Sequence, residues 1–361
     1  MSTRRQRPTV RKDPQMTSRP LARRGLLLGA GSLLTTGFLA ACGSEPEPPP
    51  APPQGPKASQ PTPQNTTEQL TTVVSEVNAD VMAADKAKKS KELAPRVSGS
   101  AVHFRQAAYE SISTSKGLAK FLDVPGATLT VPLTTVTAGF PRVSIALVED
   151  DETEGLRHFV ALQQADAHSP YTSWGWAKQL SGVEMPSVSD ARVGAENVAT
   201  DADGLLMTPA EALELYAKTL TDGAKGDPDQ QIAEDPFKTS RHEQIQAERT
   251  QLNEGVEKDE AATIRETYAV HDEEFAGLRT DDGGALVMGT MRSSRKMTVQ
   301  DGATVRYEED AYTKVAGTHE FTEEFVRSFG IHVALYIPPK DADAPIQPIG
   351  ASLTILGATA E

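Results

Sequence analysis

The chain has 361 residues, with 36 Lys and Arg against 50 Asp and Glu, a formal charge of −14. That acid excess excludes nucleic acid as a partner, because phosphate binding needs a basic footprint. A single cysteine excludes an internal disulfide and the tightly structural zinc sites, so stability has to come from an ordinary core.

The N-terminus is basic. Arg4, Arg5, Arg7, Arg11, Lys12, Arg19, Arg23 and Arg24 face one acid, Asp13. Residues 25–39 are apolar but fall short of the roughly 20 needed to span a bilayer. Small residues follow them. A charged stretch, a short apolar stretch and a small-residue exit predict a cleavable signal peptide over 1–41. Within it, Arg23-Arg24-Gly25-Leu26-Leu27 resembles the twin-arginine export signal. Leu39-Ala40-Ala41-Cys42-Gly43 resembles the lipobox of bacterial lipoproteins of the actinobacterial type. The resemblance implies that Cys42 receives a diacylglyceryl group, that the chain is cut before it, and that the new N-terminus is acylated. It implies a lipid-anchored protein on the extracytoplasmic face of the cell membrane, with the bilayer as partner through Cys42. Residues 1–41 hold 8 basic and 1 acidic residue, so the remainder holds 28 and 49, a formal charge of −21. The net charge argues against direct adhesion of such a body to anionic lipid, so the anchor alone is expected to hold it there.

Residues 42–65 form a proline-rich linker, with nine prolines between Ser44 and Gln64. Thr66 and Gln69 make a capping box, and Leu70, Val73, Val74, Val77 and Val81 repeat at helical spacing. A shorter helical stretch over 84–93 ends at Pro95. From Gly99 the pattern reads as strand, with Val102 and Phe104 alternating with His103 and Arg105. Leu129, Val131 and Leu133 alternate, as do Val143, Ile145 and Leu147, and 157–165 is a further strand. Thr208 and Pro209 start a helix that stops near Gly223. Polar residues 222–234 are the expected domain boundary. Asp235-Pro236 opens another helix, and Ile264, Tyr268 and Val270 a strand. Residues 285–288 read as a strand buried on both faces. Asp301-Gly302 reads as a hairpin turn between flanking strands. Ile331, Val333, Leu335 and Ile337 alternate, and 349–356 is the last strand.

Both halves run from a long helix into antiparallel strands. The expected class is therefore α+β, with two tandem domains (66–222 and 235–361), each a long amphipathic helix packed on a curved antiparallel sheet. That arrangement is similar to the cone-shaped fold of the nuclear-transport-factor-2 type, as an analogy of fold alone.

Motifs of chemistry are sparse. None of the seven histidines stands at the i, i+4 spacing of a helical zinc pair. His271-Asp272-Glu273-Glu274 is the densest ligand-like run, read as a solvated loop. Asp201-Ala202-Asp203-Gly204 opens like a calcium loop, but counted from Asp201 it closes without a glutamate, and counted from Asp203 it reaches Glu214 while putting Leu205 and Met207 at ligand positions, which excludes it. No serine sits in a Gly-x-Ser-x-Gly elbow, and neither phosphate nor dinucleotide loops occur. No cofactor and no metal are expected. Tyr171, Trp174 and Trp176 place three aromatics in six residues of a chain that is 5% aromatic. In a regular strand Trp174 and Trp176 share one face and Tyr171 takes the other. They read either as a packed core corner or as a platform for sugar or peptide. The expected function is a non-catalytic binding module of the envelope, for a protein, glycan or small ligand. The alternative is a cavity-containing enzyme or lipid carrier, which an enclosed pocket with converging carboxylates or with His332 inside would favour.

Overall fold

The computed structural model describes residues 61–150, 153 and 155–360, so Arg23, Arg24, Cys42, the expected signal peptide and most of the expected linker lie outside the described residues. The first helix, α1 (Thr67–Ala87), is capped by Thr66 and Gln69 as the capping box requires, and it buries Leu70, Val73, Val74, Val77, Val81 and Ala84. It ends where Lys88 turns left-handed (φ 53°).

The stretch expected as strand from Gly99 is a second helix, α2 (Gly99–Thr114). Its buried positions Ala101, Phe104, Arg105, Ala108, Tyr109 and Ile112 follow the helical period. Four residues of alternation fit both periods; the longer stripe decides.

The first sheet is a meander of β1 (Thr128–Thr134), β2 (Arg142–Glu149), β3 (Arg157–Gln164) and β4 (Thr172–Lys178), paired antiparallel in that order. Then come α3 (Pro209–Asp222), capped by Thr208 and Glu211, and α4 (Pro236–Leu252), capped by Asp235. The second sheet runs β5 (Ala262–Arg279), β6 (Ala285–Val299), β9 (Glu324–Ile337) and β10 (Gln347–Ala360), again antiparallel neighbours. Between β6 and β9 lie the short β7 (Val305–Arg306), α5 (Ala311–Ala316) and β8 (Glu320–Phe321). Gly302 does turn the chain, at φ 78°, but the strands beside it do not pair with each other. Both edges of β6 are already taken by β5 and β9, so β7 pairs with β8.

The side chains sort into layers. Ala146, Val148, Val160, Leu162 and Trp176 of the first sheet pack under α1 and α2. The opposite face offers Ile145, Leu147, Phe159 and Ala161 to Ala276, Leu278, Leu286, Met288 and Ala334 of the second sheet. Beyond it, Val287, Ile331, Val333 and Leu335 meet Leu213, Tyr216 and Leu220 of α3. The order is helices, sheet, sheet, helix. It explains why residues 285–291 of β6 and 329–335 of β9 are buried on both faces: neither stretch faces water.

The described part is mixed α and β with antiparallel sheets. The described residues fall within one compact unit, in which the back faces of both sheets share a single core. The Leu180 N–H also donates to the Ile349 carbonyl at 2.9 Å, joining the end of the first sheet to β10. The expected boundary is tied down as well: Ala233 N–H donates to Ile346 O at 2.9 Å and Ile346 N–H to Gln231 O at 2.7 Å.

Candidate functional site

Two irregular strands build the site. In β4, Ala161 stands opposite Gly175 and Leu162 opposite Ser173, which leaves Trp174 as an extra residue. One extra residue sends the side chains beyond it to the other face. Trp174 therefore enters the core between the sheets, while Trp176 joins Tyr171 under α1 and α2. This corrects the expectation that the two tryptophans share a face. With 2% and 4% exposure, and Tyr171 at 8%, the trio presents no surface platform.

In β5, His271 stands opposite Thr290 and Phe275 opposite Gly289, so three residues bulge out of the ladder. An odd insertion also flips the strand. Tyr268 and Val270 face α3, whereas Ala276 and Leu278 face the first sheet. The run expected as a solvated loop is this bulge. It carries the Glu274 carboxylate to the N-terminus of α2, where Oε1 accepts the Ser100 N–H at 2.6 Å and Oε2 accepts Thr290 Oγ1 at 3.2 Å and the Ser100 hydroxyl. Ser98, at the N-cap, makes no side-chain cap of its own. The distant glutamate supplies the acceptor that the helix end needs.

Ser100 Oγ also lies 3.0 Å from His332 Nε2 and 3.0 Å from the Trp174 carbonyl. His332 sits among Phe104, Trp174 and Trp176, with ring centres 5.2, 6.0 and 6.2 Å away. Burial pushes its pKa down to about 3, the Arg105 charge pushes the same way, and Asp123 opposes. The imidazole is neutral across the physiological range. Gly175 makes room for it: a Cβ there would meet the ring at 2.5–2.8 Å. Gly175→Ala is accordingly expected to cost about 1–3 kcal/mol of unfolding free energy through overpacking. A denaturant midpoint equal to wild type would show that the ring moves aside freely.

A second polar knot lies behind Trp176. Asp123 Oδ1 is 2.9 Å from His158 Nε2, and its other oxygen accepts the Ser352 hydroxyl. The Asp123 carbonyl receives Trp176 Nε1 at 2.9 Å and a guanidinium N–H of Arg105. Burial alone would raise the Asp123 carboxyl, but the His158 and Ser352 hydrogen bonds and the Arg105 charge hold it below its ordinary value. Arg105 lies over the Trp176 ring at 5.2 Å.

On the α3 side the β5 bulge opens a pocket of about 210 Å³, lined by Glu274, Thr290, Thr200, Glu214, Leu213 and Phe275. Glu274 divides this pocket from Ser100 and His332. A larger, open cleft of about 780 Å³ lies between the end of α3 and the start of α4, lined by Asp227, Gln230, Lys238, Thr239 and His242. Among the described residues no group of three or more His, Cys, Asp or Glu stands close enough to hold a metal ion.

Chemically, the bulge assembles a serine, a histidine and a glutamate in an order unlike an acyl-transfer triad. There the acid orients the histidine and the histidine takes the serine proton. Here Glu274 and His332 both converge on the same hydroxyl. Ser100 has one proton, contended for by a carboxylate and a carbonyl, while the His332 ring nitrogen meets the same oxygen, so the hydroxyl is pinned. A base with pKa near 3 is also poorly matched to removing that proton at neutral pH. Sequence reasoning placed Glu274 in a loop and did not single out Ser100 or Asp123. The signal that could have found the knot is Gly175 between two tryptophans, a glycine marking close approach inside a strand.

Fold and site together define a double-sheet α+β body with a polar knot under an edge-strand bulge. The chain belongs to the family described as a domain of unknown function, DUF8094, whose model matches residues 61–359. No curated protein and no solved structure matches the chain.

Proposed function

We propose that the protein is a bacterial lipoprotein, exported with a twin-arginine-type signal over 1–41, lipidated at Cys42, and carrying a body that binds an envelope partner without catalysing a reaction. The pinned Ser100 hydroxyl carries the non-catalytic reading, since the residues of a nucleophilic site are present in an arrangement that holds α2 instead of freeing a nucleophile. The anchoring rests on Leu39-Ala40-Ala41-Cys42. Among the described residues no helix is long and apolar enough to cross a membrane. On this reading, attachment rests on the acyl chains, each weak alone and stable in combination. The repeated order of helices followed by four antiparallel strands supports reading the body as two helix-on-sheet modules, similar to the nuclear-transport-factor-2 type, fused through their sheets.

Cys42→Ala tests the anchor. The variant is expected in the soluble fraction or as an uncut precursor. If it stays with membranes after a high-salt wash, the lipoprotein reading fails. A second reading, a small-ligand carrier or enzyme, is favoured by the cleft beside α4, whose roughly 780 Å³ falls in the size range of ligand sites. A compound retained by the purified body in native mass spectrometry, and lost on Lys238→Ala, would support it.

A further inference from the structure

The end of α1 departs from the charge of the rest of the body. Lys86, Lys88, Lys89 and Lys91 are all exposed, four positive charges in six residues of a body with a formal charge of −21. Among the described residues no ion pair engages Lys86, Lys88 or Lys89, and Lys91 meets only its neighbour Glu92, at 3.6 Å. Elsewhere many cations are held by carboxylates, as in the Arg96–Glu76, Arg249–Asp259, Lys296–Glu324 and Arg306–Glu320 pairs. A cation in the last turn of a helix offsets the macrodipole, which accounts for Lys86; Lys89 and Lys91 lie past the helix end. Lys88, Lys89 and Lys91 rim an open cleft of about 470 Å³, whose other wall is Gln106, Tyr109, Glu110 and Ser113 of α2. Met82, one turn before Lys86 on α1, is one of the few exposed large apolar side chains, at 56%.

We propose that this lysine pole is the face the body lays on the anionic phospholipid headgroups of its own membrane. The inference rests on the lipid anchor at Cys42. Each lysine near an anionic surface is worth about 1 kcal/mol, and the attraction fades within a Debye length. The acidic remainder is repelled from the same surface, so the charge distribution orients the body as well as holding it. The geometry allows this contact. Residues 43–65 can span at most about 80 Å, while α1 is only about 30 Å from its tethered end to its lysine end. Met82 adds apolar contact at the headgroup level, beside cations that keep their ammonium groups in water.

The test uses the mature lipidated chain in vesicles of neutral phosphatidylcholine, with or without anionic phosphatidylglycerol. Lysines are acetylated briefly and the sites read by mass spectrometry, with exposed Lys218 and Lys258 as references. On anionic vesicles at low salt, Lys86, Lys88, Lys89 and Lys91 are expected to react about five-fold more slowly than on neutral ones, and high salt should erase the difference. In the double variant Lys88→Glu with Lys89→Glu, protection of Lys86 and Lys91 should be lost. Equal labelling on both vesicle types overturns the proposal, as does protection that survives high salt. Failure of the anchor reading looks different: the protein then enters neither vesicle and its N-terminal peptide carries no lipid mass.

Discussion

Glu266→Ala is expected to lower the unfolding free energy by about 3–5 kcal/mol, the cost of removing one partner from a buried ion pair. The Glu266 side chain is fully buried. Arg241 Nη2 of α4 reaches its two oxygens at 2.5 and 2.7 Å, Arg295 Nε of β6 donates at 2.8 Å, and the Ser293 hydroxyl at 2.8 Å. Arg295 Nη2 is also 2.7 Å away but off the line of a hydrogen bond, so that contact is Coulombic. On the same helix Glu248 takes Arg327 of β9 at 2.5 Å and Tyr307 at 2.5 Å. The network thus fastens α4 across three strands. Alanine would strand two guanidinium groups in a place water does not reach. Glu266→Gln keeps a carbonyl acceptor and should fall between wild type and alanine, while Glu254→Ala, in the exposed turn after α4, should change little. A Glu266→Ala loss below about 1 kcal/mol, the size of a surface pair, would mean that water enters the network.

The same buried groups set the response to acid. Burial would raise the Glu266 carboxyl, but Arg241 and Arg295 outweigh it and hold it below its ordinary 4.5. Its stabilisation is therefore complete above about 4.5 and is lost as pH falls through the depressed folded value. His332 acts earlier. Folded it resists protonation down to about 3, whereas unfolded it takes a proton near 6.5. The unfolded chain binds one more proton throughout that window, so stability should fall by about 1.4 kcal/mol per unit of decreasing pH. Denaturant unfolding at several pH values reads this slope; a flat line from 6.5 to 4.5 would show that the ring is not sealed from water.

Much of the element order was legible because local rules set it. Thr66 with Gln69, Thr208 with Pro209, and Asp235 with Pro236 each announce a helix start through chemistry within four residues. The strands of the second sheet were legible from their apolar runs. What was not legible depends on register. Whether Trp174 and Trp176 share a face turns on one unpaired residue in β4, and the bulge is visible only against β3. Glu274 reads as a loop acid because three extra residues in β5 show only against β6. The joining of the two halves was hidden for the same reason: Ile145 and Met288 look like ordinary core positions of separate sheets until both back faces are seen to lack any other cover.

Glu274→Ala should then reveal how much of the knot is structural. The substitution leaves the Ser100 N–H, the Ser100 hydroxyl and the Thr290 hydroxyl without their common acceptor. Losing a helix cap costs about 0.5–2 kcal/mol, and an unsatisfied buried donor about 1–3. A total near 3 kcal/mol is expected, because Thr290 lines the pocket and can turn to water. Ser100→Ala alone should cost less, since the Glu274 carboxylate keeps the backbone N–H. The two substitutions share one hydrogen bond, so the double variant should lose about 1–2 kcal/mol less than the sum of the singles. Simple additivity would mean that Glu274 holds the α2 N-terminus without the serine hydroxyl. That hydroxyl would then be free to serve a ligand through the bulge, and the non-catalytic reading would lose its main support.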